Sequence, residues 1–172
     1  DRRQRQMCIR DRVRYVVTGR MCTSNSPRFS KYMEGAHVIF TTDIKVRGYH
    51  IDFYHHVNNA RYLEFLETAR WNLLEQEKWL SRLKEQNLGL VIVSITIDYR
   101  SPAHMGDVLE VRTEFKEAQA HKGLISQDIY QKGSGKLVAE AKVAYVILDL
   151  RTGKVGRLDN TSLQDWRTLI EQ

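Results

Sequence analysis

From residue 91 to residue 150 apolar and polar side chains alternate with a period of two, almost without interruption, and one long stretch of helical periodicity stands ahead of that block. Val91, Val93, Ile95, Ile97 and Tyr99 alternate with Ile92, Ser94, Thr96, Asp98 and Arg100. Pro102 and Gly106 end this run, and Leu109, Val111, Thr113 and Phe115 then alternate with Glu110, Arg112 and Glu114. Gly123 opens a run over 124–131, Gly133-Ser134-Gly135 makes a tight turn, and 136–150 carries Leu137, Ala139, Ala141, Val143, Tyr145 and Ile147 on one face. Alternation of this kind marks half-buried strands, and turns this short join antiparallel neighbours. The absence of helices between the strands and of a Gly-rich phosphate loop argues against a doubly wound parallel fold.

The helical stretch begins near Asn58 or Asn59, either of which caps a helix by accepting its free N–H groups. Tyr62, Leu66, Ala69 and Leu73 form one stripe. Phe65, Leu63 and Trp71 widen it, so the helix is expected to be largely buried. A first strand is expected over 41–48, with Ile44 and Val46 on one face. A short helix is expected over 77–86, presenting Trp79, Leu80 and Leu83 and ended by Asn87 and Gly89, and a terminal helix over 163–170. One long helix followed by antiparallel strands is an α+β layout.

The net charge of +6 points at first to an anionic partner. Its distribution argues otherwise. Residues 1–38 hold nine Lys or Arg and three acids, while the remainder is balanced at eighteen of each. The expected organisation is therefore a basic leader, 1–38, and a domain, 39–172, which at this length is one folding unit. The leader is poor in apolar residues and reads as disordered alone. Its string MCIRDR reads as sequence foreign to the domain, and Met33 stands just before the first expected strand. Both cysteines, Cys8 and Cys22, lie in it. The domain thus has no thiolate metal site or disulfide, which fits a cytoplasmic setting. No apolar run reaches membrane-spanning length.

The chemistry concentrates in VRGYHIDFYHHVNNARYLEFLETAR, residues 46–70. A lone carboxylate, Asp52, stands among His50, His55 and His56 on a loop just ahead of a helix N-terminus. That end carries free N–H groups and partial positive charge. An acid beside such donors suits acyl transfer. Val57 and Asn59, at the helix start, are candidate oxyanion donors. Asn58 is a candidate cap or water-orienting group, and His56 is a neighbour for the acid. Glu64 and Glu67 are alternative acids, but each lies three residues from an arginine, Arg61 and Arg70, so surface ion pairs are the plainer account. The histidines lack the paired spacing of a hydrolytic zinc site, so no metal is expected. A bystander role for Asp52, as a loop or capping acid, is the alternative these residues alone leave open.

This segment resembles the signature of the hotdog-fold acyl-CoA thioesterases of the 4-hydroxybenzoyl-CoA thioesterase family, in which an Asp, a short loop and H-V-N-N-A-x-Y open a long helix. A second patch, Tyr99-Arg100-Ser101-Pro102-Ala103 with Gly106-Asp107, is similar to the family's Y-x-x-P-A-x-x-G-D. The resemblance covers 41–150 and is strongest to the long-chain acyl-CoA branch. It implies a hotdog fold, in which an antiparallel sheet wraps a central helix, with Asp52 in the catalytic-acid position. Many members have Gly where His55 stands.

The implied reaction is hydrolysis of long-chain acyl-CoA to fatty acid and CoA without a cofactor. Asp52 would serve as nucleophile or general base. The family pairs sheets edge to edge, so a homodimer or homotetramer is expected, with no nucleic-acid partner and no stable membrane insertion. Two rivals stand beside this reading. A hotdog hydratase would have its His one residue farther from the acid than His56 is from Asp52. A non-catalytic acyl-binding module would be expected to lack the acid.

Overall fold

The structure, a computed structural model, describes residues 28–34 and 37–170. Its described strands form one antiparallel sheet of seven. They are β1 (Phe29–Glu34), β2 (His37–Lys45), β3 (Leu88–Tyr99), β4 (Val108–Ala118), β5 (Lys122–Gln131), β6 (Lys136–Asp149) and β7 (Lys154–Val155). The spatial order is β1-β2-β4-β5-β6-β3, with β7 also paired to β6. The helices are α1 (Asn59–Gln76), α2 (Trp79–Glu85) and α3 (Asn160–Arg167). The α+β layout expected from the periodicities is the one observed: α1 packs against one face of the sheet.

Two expectations need correction at the N-terminus. The strand expected over 41–48 runs over His37–Lys45 and is not the first. The leader boundary at residue 38 followed the charge and not the fold. Phe29–Glu34 is a strand, paired with β2 in register from Phe29↔Thr42 to Glu34↔His37. Phe29 stacks on Phe40 at 6.1 Å, and Lys31 pairs with Glu77 at 3.4 Å. Residues 1–27, with both cysteines, lie outside the described residues.

The helical stripe is buried as expected, together with Phe65, Arg70 and Leu74. Leu63 and Trp71 are exposed, so α1 buries one broad face and not its whole girth. Each large apolar side chain of that face contributes about 1.5–3 kcal/mol by leaving water. In β3 the simple alternation fails at one place. The pairing with β6 shifts register between Ile92 and Ser94, a bulge at Val93. One extra residue inverts the facing of everything on its far side. Leu90, Ile92, Ile95 and Ile97 therefore pack inward, while Val91 and Val93 face solvent.

The core has two apolar parts with a polar seam between them. One part joins the N-terminal half of α1 to Leu109, Val111, Ile129, Ala139 and Ala141. The other surrounds Trp166 of α3, with Trp79, Phe115 and Tyr145 in edge contact with it. The seam is one residue wide on each element: Thr42 on β2, Arg70 on α1, Thr113 on β4 and Gln127 on β5, all buried. Arg70 Nη1 donates to Gln127 Oε1 at 2.8 Å. Gln127 Nε2 in turn donates to the Leu66 carbonyl at 3.1 Å and to Thr113 Oγ1 at 3.0 Å. A buried cation of this kind needs such partners.

Candidate active site

The acid sits on a loop pinched shut at its base. Ile51 and Val57 form an isolated antiparallel bridge, and the Asp52 N–H donates to the His56 carbonyl at 2.9 Å. Inside the pinch the Asp52 carbonyl accepts the His55 N–H at 3.1 Å, and Asp52 Oδ1 accepts the Tyr54 N–H at 2.8 Å. His55 closes the turn in the left-handed region at φ 63°. Asp52 Oδ2 faces His56 Nδ1 at 3.4 Å, and His56 Nδ1 also lies 3.3 Å from the Val57 carbonyl. The carboxylate is mostly shielded, at 18% side-chain exposure, while His56 opens to solvent at 40%.

Just ahead of the loop, Gly48–His50 makes a single 3-10 turn. His50 is buried edge-on to Phe65, with ring centroids 4.9 Å apart, and its Nδ1 accepts the Arg47 N–H at 3.0 Å. Burial first, then the positive charge of Arg61, lowers its pKa below the ordinary 6.5. His50 is thus a neutral wedge between loop and helix. Behind the loop, Asn58 is the N-cap of α1: its Oδ1 accepts the Ala60 N–H at 2.9 Å. Its backbone N–H goes to the His50 carbonyl at 2.9 Å.

The two expected oxyanion donors part company here. The Val57 N–H donates to the Ala103 carbonyl at 2.8 Å and is unavailable to a substrate, because the Ile51–Val57 bridge turns it toward that loop. The Asn59 N–H makes no hydrogen bond among the described residues, which leaves it as the donor at the positive end of α1. The alternative acids lie on the exposed side of α1, Glu64 lining a groove together with Tyr49 and His50. Glu64 is tied to Arg61 at 2.6 Å, as expected. The expected Glu67–Arg70 pair is replaced: Arg70 turns into the core seam, and Glu67 accepts the indole N–H of Trp71 at 3.4 Å.

Tyr62 belongs to the site's surroundings, although its periodicity marked it only as core. It is buried 5.4 Å from the ring of Tyr99, whose hydroxyl donates to the Asn59 carbonyl at 3.1 Å. Burial chiefly raises the Tyr62 pKa, and the carboxylates of Asp107 and Asp52 push it in the same direction. The Tyr99–Asp107 patch therefore lies beside the 46–70 segment in space, and Val57–Ala103 and Tyr99–Asn59 are the bonds that join them. Asp107 serves the turn, accepting the His104 N–H at 2.8 Å. Around the loop Tyr49, Phe53, Tyr54 and Met105 stand exposed, an unusual concentration of large apolar surface. Among the described residues, no group of three or more His, Cys, Asp or Glu is arranged to hold a metal ion, and no helix is long and apolar enough to cross a membrane.

The profile of the Thioesterase-like superfamily matches residues 46–166, the span that carries this loop, its helix and the sheet. The chain belongs to that superfamily. It is 44% identical over 118 residues to the long-chain acyl-CoA thioesterase FadM of Escherichia coli, covering 69% of this chain and 89% of that enzyme. It is 34% identical over 102 residues to the 1,4-dihydroxy-2-naphthoyl-CoA hydrolase of Synechocystis, covering 55% and 71%. Among solved structures, the probable thioesterase YbaW of Escherichia coli superposes with a TM-score of 0.70 at 40% identity, over 76% of this chain and 98% of its own. The Synechocystis thioesterase Slr0204 does so at 0.66 and 27% identity, over 76% and 94%. The expectation of a hotdog thioesterase is met.

Proposed function

We propose that this protein hydrolyses long-chain acyl-CoA thioesters to a free fatty acid and CoA. The observation that carries the reading is the pinched loop, which holds one shielded carboxylate and runs straight into the start of α1 with its unbonded Asn59 N–H. In this scheme Asp52 takes a proton from water as the water oxygen bonds to the thioester carbonyl carbon and returns it to the departing sulfur, or it attacks that carbon itself to form a mixed anhydride that water then hydrolyses to regenerate the carboxylate and free the acid. Negative charge gathers on the carbonyl oxygen, and the Asn59 N–H stabilises it. Collapse breaks the C–S bond, and the CoA sulfur leaves with a proton. His56 stands beside Asp52 to orient it. Asn58, its side-chain oxygen committed to the cap, has its side-chain amide N–H groups left to orient the water. The similarity to FadM supports the long-chain class, and the Cys-free stretch 39–172 fits a cytoplasmic setting.

A homodimer or homotetramer is part of this reading. β3 is twelve residues long and, among the described strands, is bonded on one side only, to β6. Its free edge and the exposed aromatics at Phe53 and Tyr54 suit cover by a second copy. The test of function is release of free thiol from palmitoyl-CoA without added metal or nucleotide. Asp52→Asn retains the Tyr54 and His56 contacts in shape but loses the charge. It is expected to lower kcat by about a hundredfold or more. Undiminished turnover in that variant would move the acid to Glu64 or Glu67. The close Asp52–His56 contact also gives the hydratase reading a definite check, since loss of enoyl-CoA absorbance without thiol release would identify it.

A further inference from the structure

A groove of about 1000 Å³ opens alongside the N-terminal half of α1, between Glu64, Phe65 and Thr68 and the end of β2. Four cations line it: Arg28, Lys45, Arg47 and Lys132. The acids around it are already engaged. Asp43 holds Lys132 at 2.5 Å, and Glu64 holds Arg61 at 2.6 Å. Lys45 Nζ donates to the Gly106 carbonyl, a neutral acceptor. Arg28, Lys45 and Arg47 have no acid partner among the described residues. Three unneutralised cations in a concavity focus a positive field that an anion would relieve. The rim adds Tyr49, whose ring is 73% exposed and steadied edge-on by His50 at 4.2 Å. An exposed, steadied ring beside free cations suits a ligand with a flat base and several phosphates.

We infer that this groove holds the nucleotide end of the CoA thioester, its phosphates on Arg28, Lys45 and Arg47 and its adenine against Tyr49. The inference rests on the thioesterase reading and adds the subsite that reading lacks. Tyr49 precedes Asp52 by three residues, so the chain between them spans at most about 11 Å. The pantetheine arm, a flexible chain between the diphosphate and the sulfur, connects a nucleotide in the groove to a thioester at the loop. Two exposed basic side chains outside the groove, Arg100 and Arg151, are held by acids. Arg100 is engaged by Glu140 at 2.6 Å and Asp98 at 3.5 Å, and Arg151 lies 3.7 Å from Asp149.

The test compares lauroyl-CoA with lauroyl-N-acetylcysteamine, which has the thioester but no nucleotide, alongside calorimetric titration of the full chain with free CoA. Lys45 and Arg47 are exposed, so the double variant Lys45→Glu/Arg47→Glu keeps the core. It is expected to raise both KM for lauroyl-CoA and Kd for CoA at least tenfold. Its KM for the truncated thioester should shift less than twofold. Tyr49→Ala should weaken CoA binding without altering its salt dependence, whereas the charge variant should flatten that dependence. Unchanged KM for lauroyl-CoA and unchanged Kd for CoA in the charge variant overturn the inference. If the wild type cleaves neither thioester, the thioesterase reading fails instead. The CoA titration then still decides: binding lost in the charge variant upholds the groove, and binding that persists or never occurs overturns it.

Discussion

His55 adopts φ 63°, a backbone region that is strained for residues with a Cβ and easy for glycine. Many members of the family resembled have Gly at this point, and the turn that needs it is the one that returns the chain from Asp52 to the Val57 pinch. The histidine keeps the turn because Asp52 bonds both the Tyr54 and the His55 N–H groups. His50, five residues earlier, has the opposite character: it is buried, and its pKa is lowered first by that burial. A lowered folded pKa means that the unfolded chain binds the proton first, so acid favours unfolding. Stability should be flat above about pH 6.5 and fall as pH drops below it. Urea midpoints measured from pH 7.5 to 5.5 check this, and His50→Gln, which keeps an acceptor for the Arg47 N–H, should flatten the profile. An unaltered slope in that variant would assign the titration to another group.

Among the elements, the seam across the core governs how α1 meets the sheet. Arg70 is read from sequence as the partner of Glu67 on an exposed face, since residues three apart on a helix are neighbours. The sheet decides otherwise by placing Gln127 opposite it. Gln127→Leu leaves the guanidinium without its acceptor and the Leu66 carbonyl without its side-chain donor. A loss of about 3 kcal/mol is expected. The paired change Arg70→Met/Gln127→Leu removes both polar groups and should regain most of that loss, because replacing both partners avoids an orphaned charge. Chemical denaturation of the two variants measures the difference. Equal losses would mean that the seam acts by packing volume alone. Gly123 shows the same dependence on a neighbour. A Cβ there would collide with the Tyr145 hydroxyl and the Glu117 carbonyl, so the strand has a glycine where its own periodicity has no use for one.

For the whole molecule, truncation and light scattering measure the boundary of the folded unit and its assembly. Deletion of residues 1–27 leaves every described contact intact, and melting temperature and turnover are expected to stay within a few degrees and twofold of the full chain. Deletion through 34 also removes β1, the Phe29–Phe40 stack and the Lys31–Glu77 pair, and should lower the melting temperature clearly. A loss of each kcal/mol corresponds to about 2–4 °C at this size. Differential scanning calorimetry of both truncations separates them, and equal melting would return β1 to the leader. Light scattering at micromolar concentration tests assembly. A dimer or tetramer is expected, with Val91→Lys/Val93→Lys on β3 shifting it toward monomer. An active monomer in the unaltered chain would remove the second copy from the scheme.

Local periodicity and local chemistry were legible in the chain itself. The buried stripe of α1, the strands from 88 to 149, the cap at Asn58 and the loop carrying Asp52 each depend on neighbours a few residues away. Contacts between distant segments were not. β1 hides within a basic stretch because its stability comes from pairing with β2. The Val93 bulge and the burial of Arg70 depend on β6 and β5 lying opposite. The Val57 N–H is lost to a substrate because Ala103, far along the chain, happens to face it. The groove beside Tyr49 gathers Arg28, Arg47 and Lys132 from three distant segments. A sequence states what each residue can do alone, and only the sheet's register decides which partner it meets.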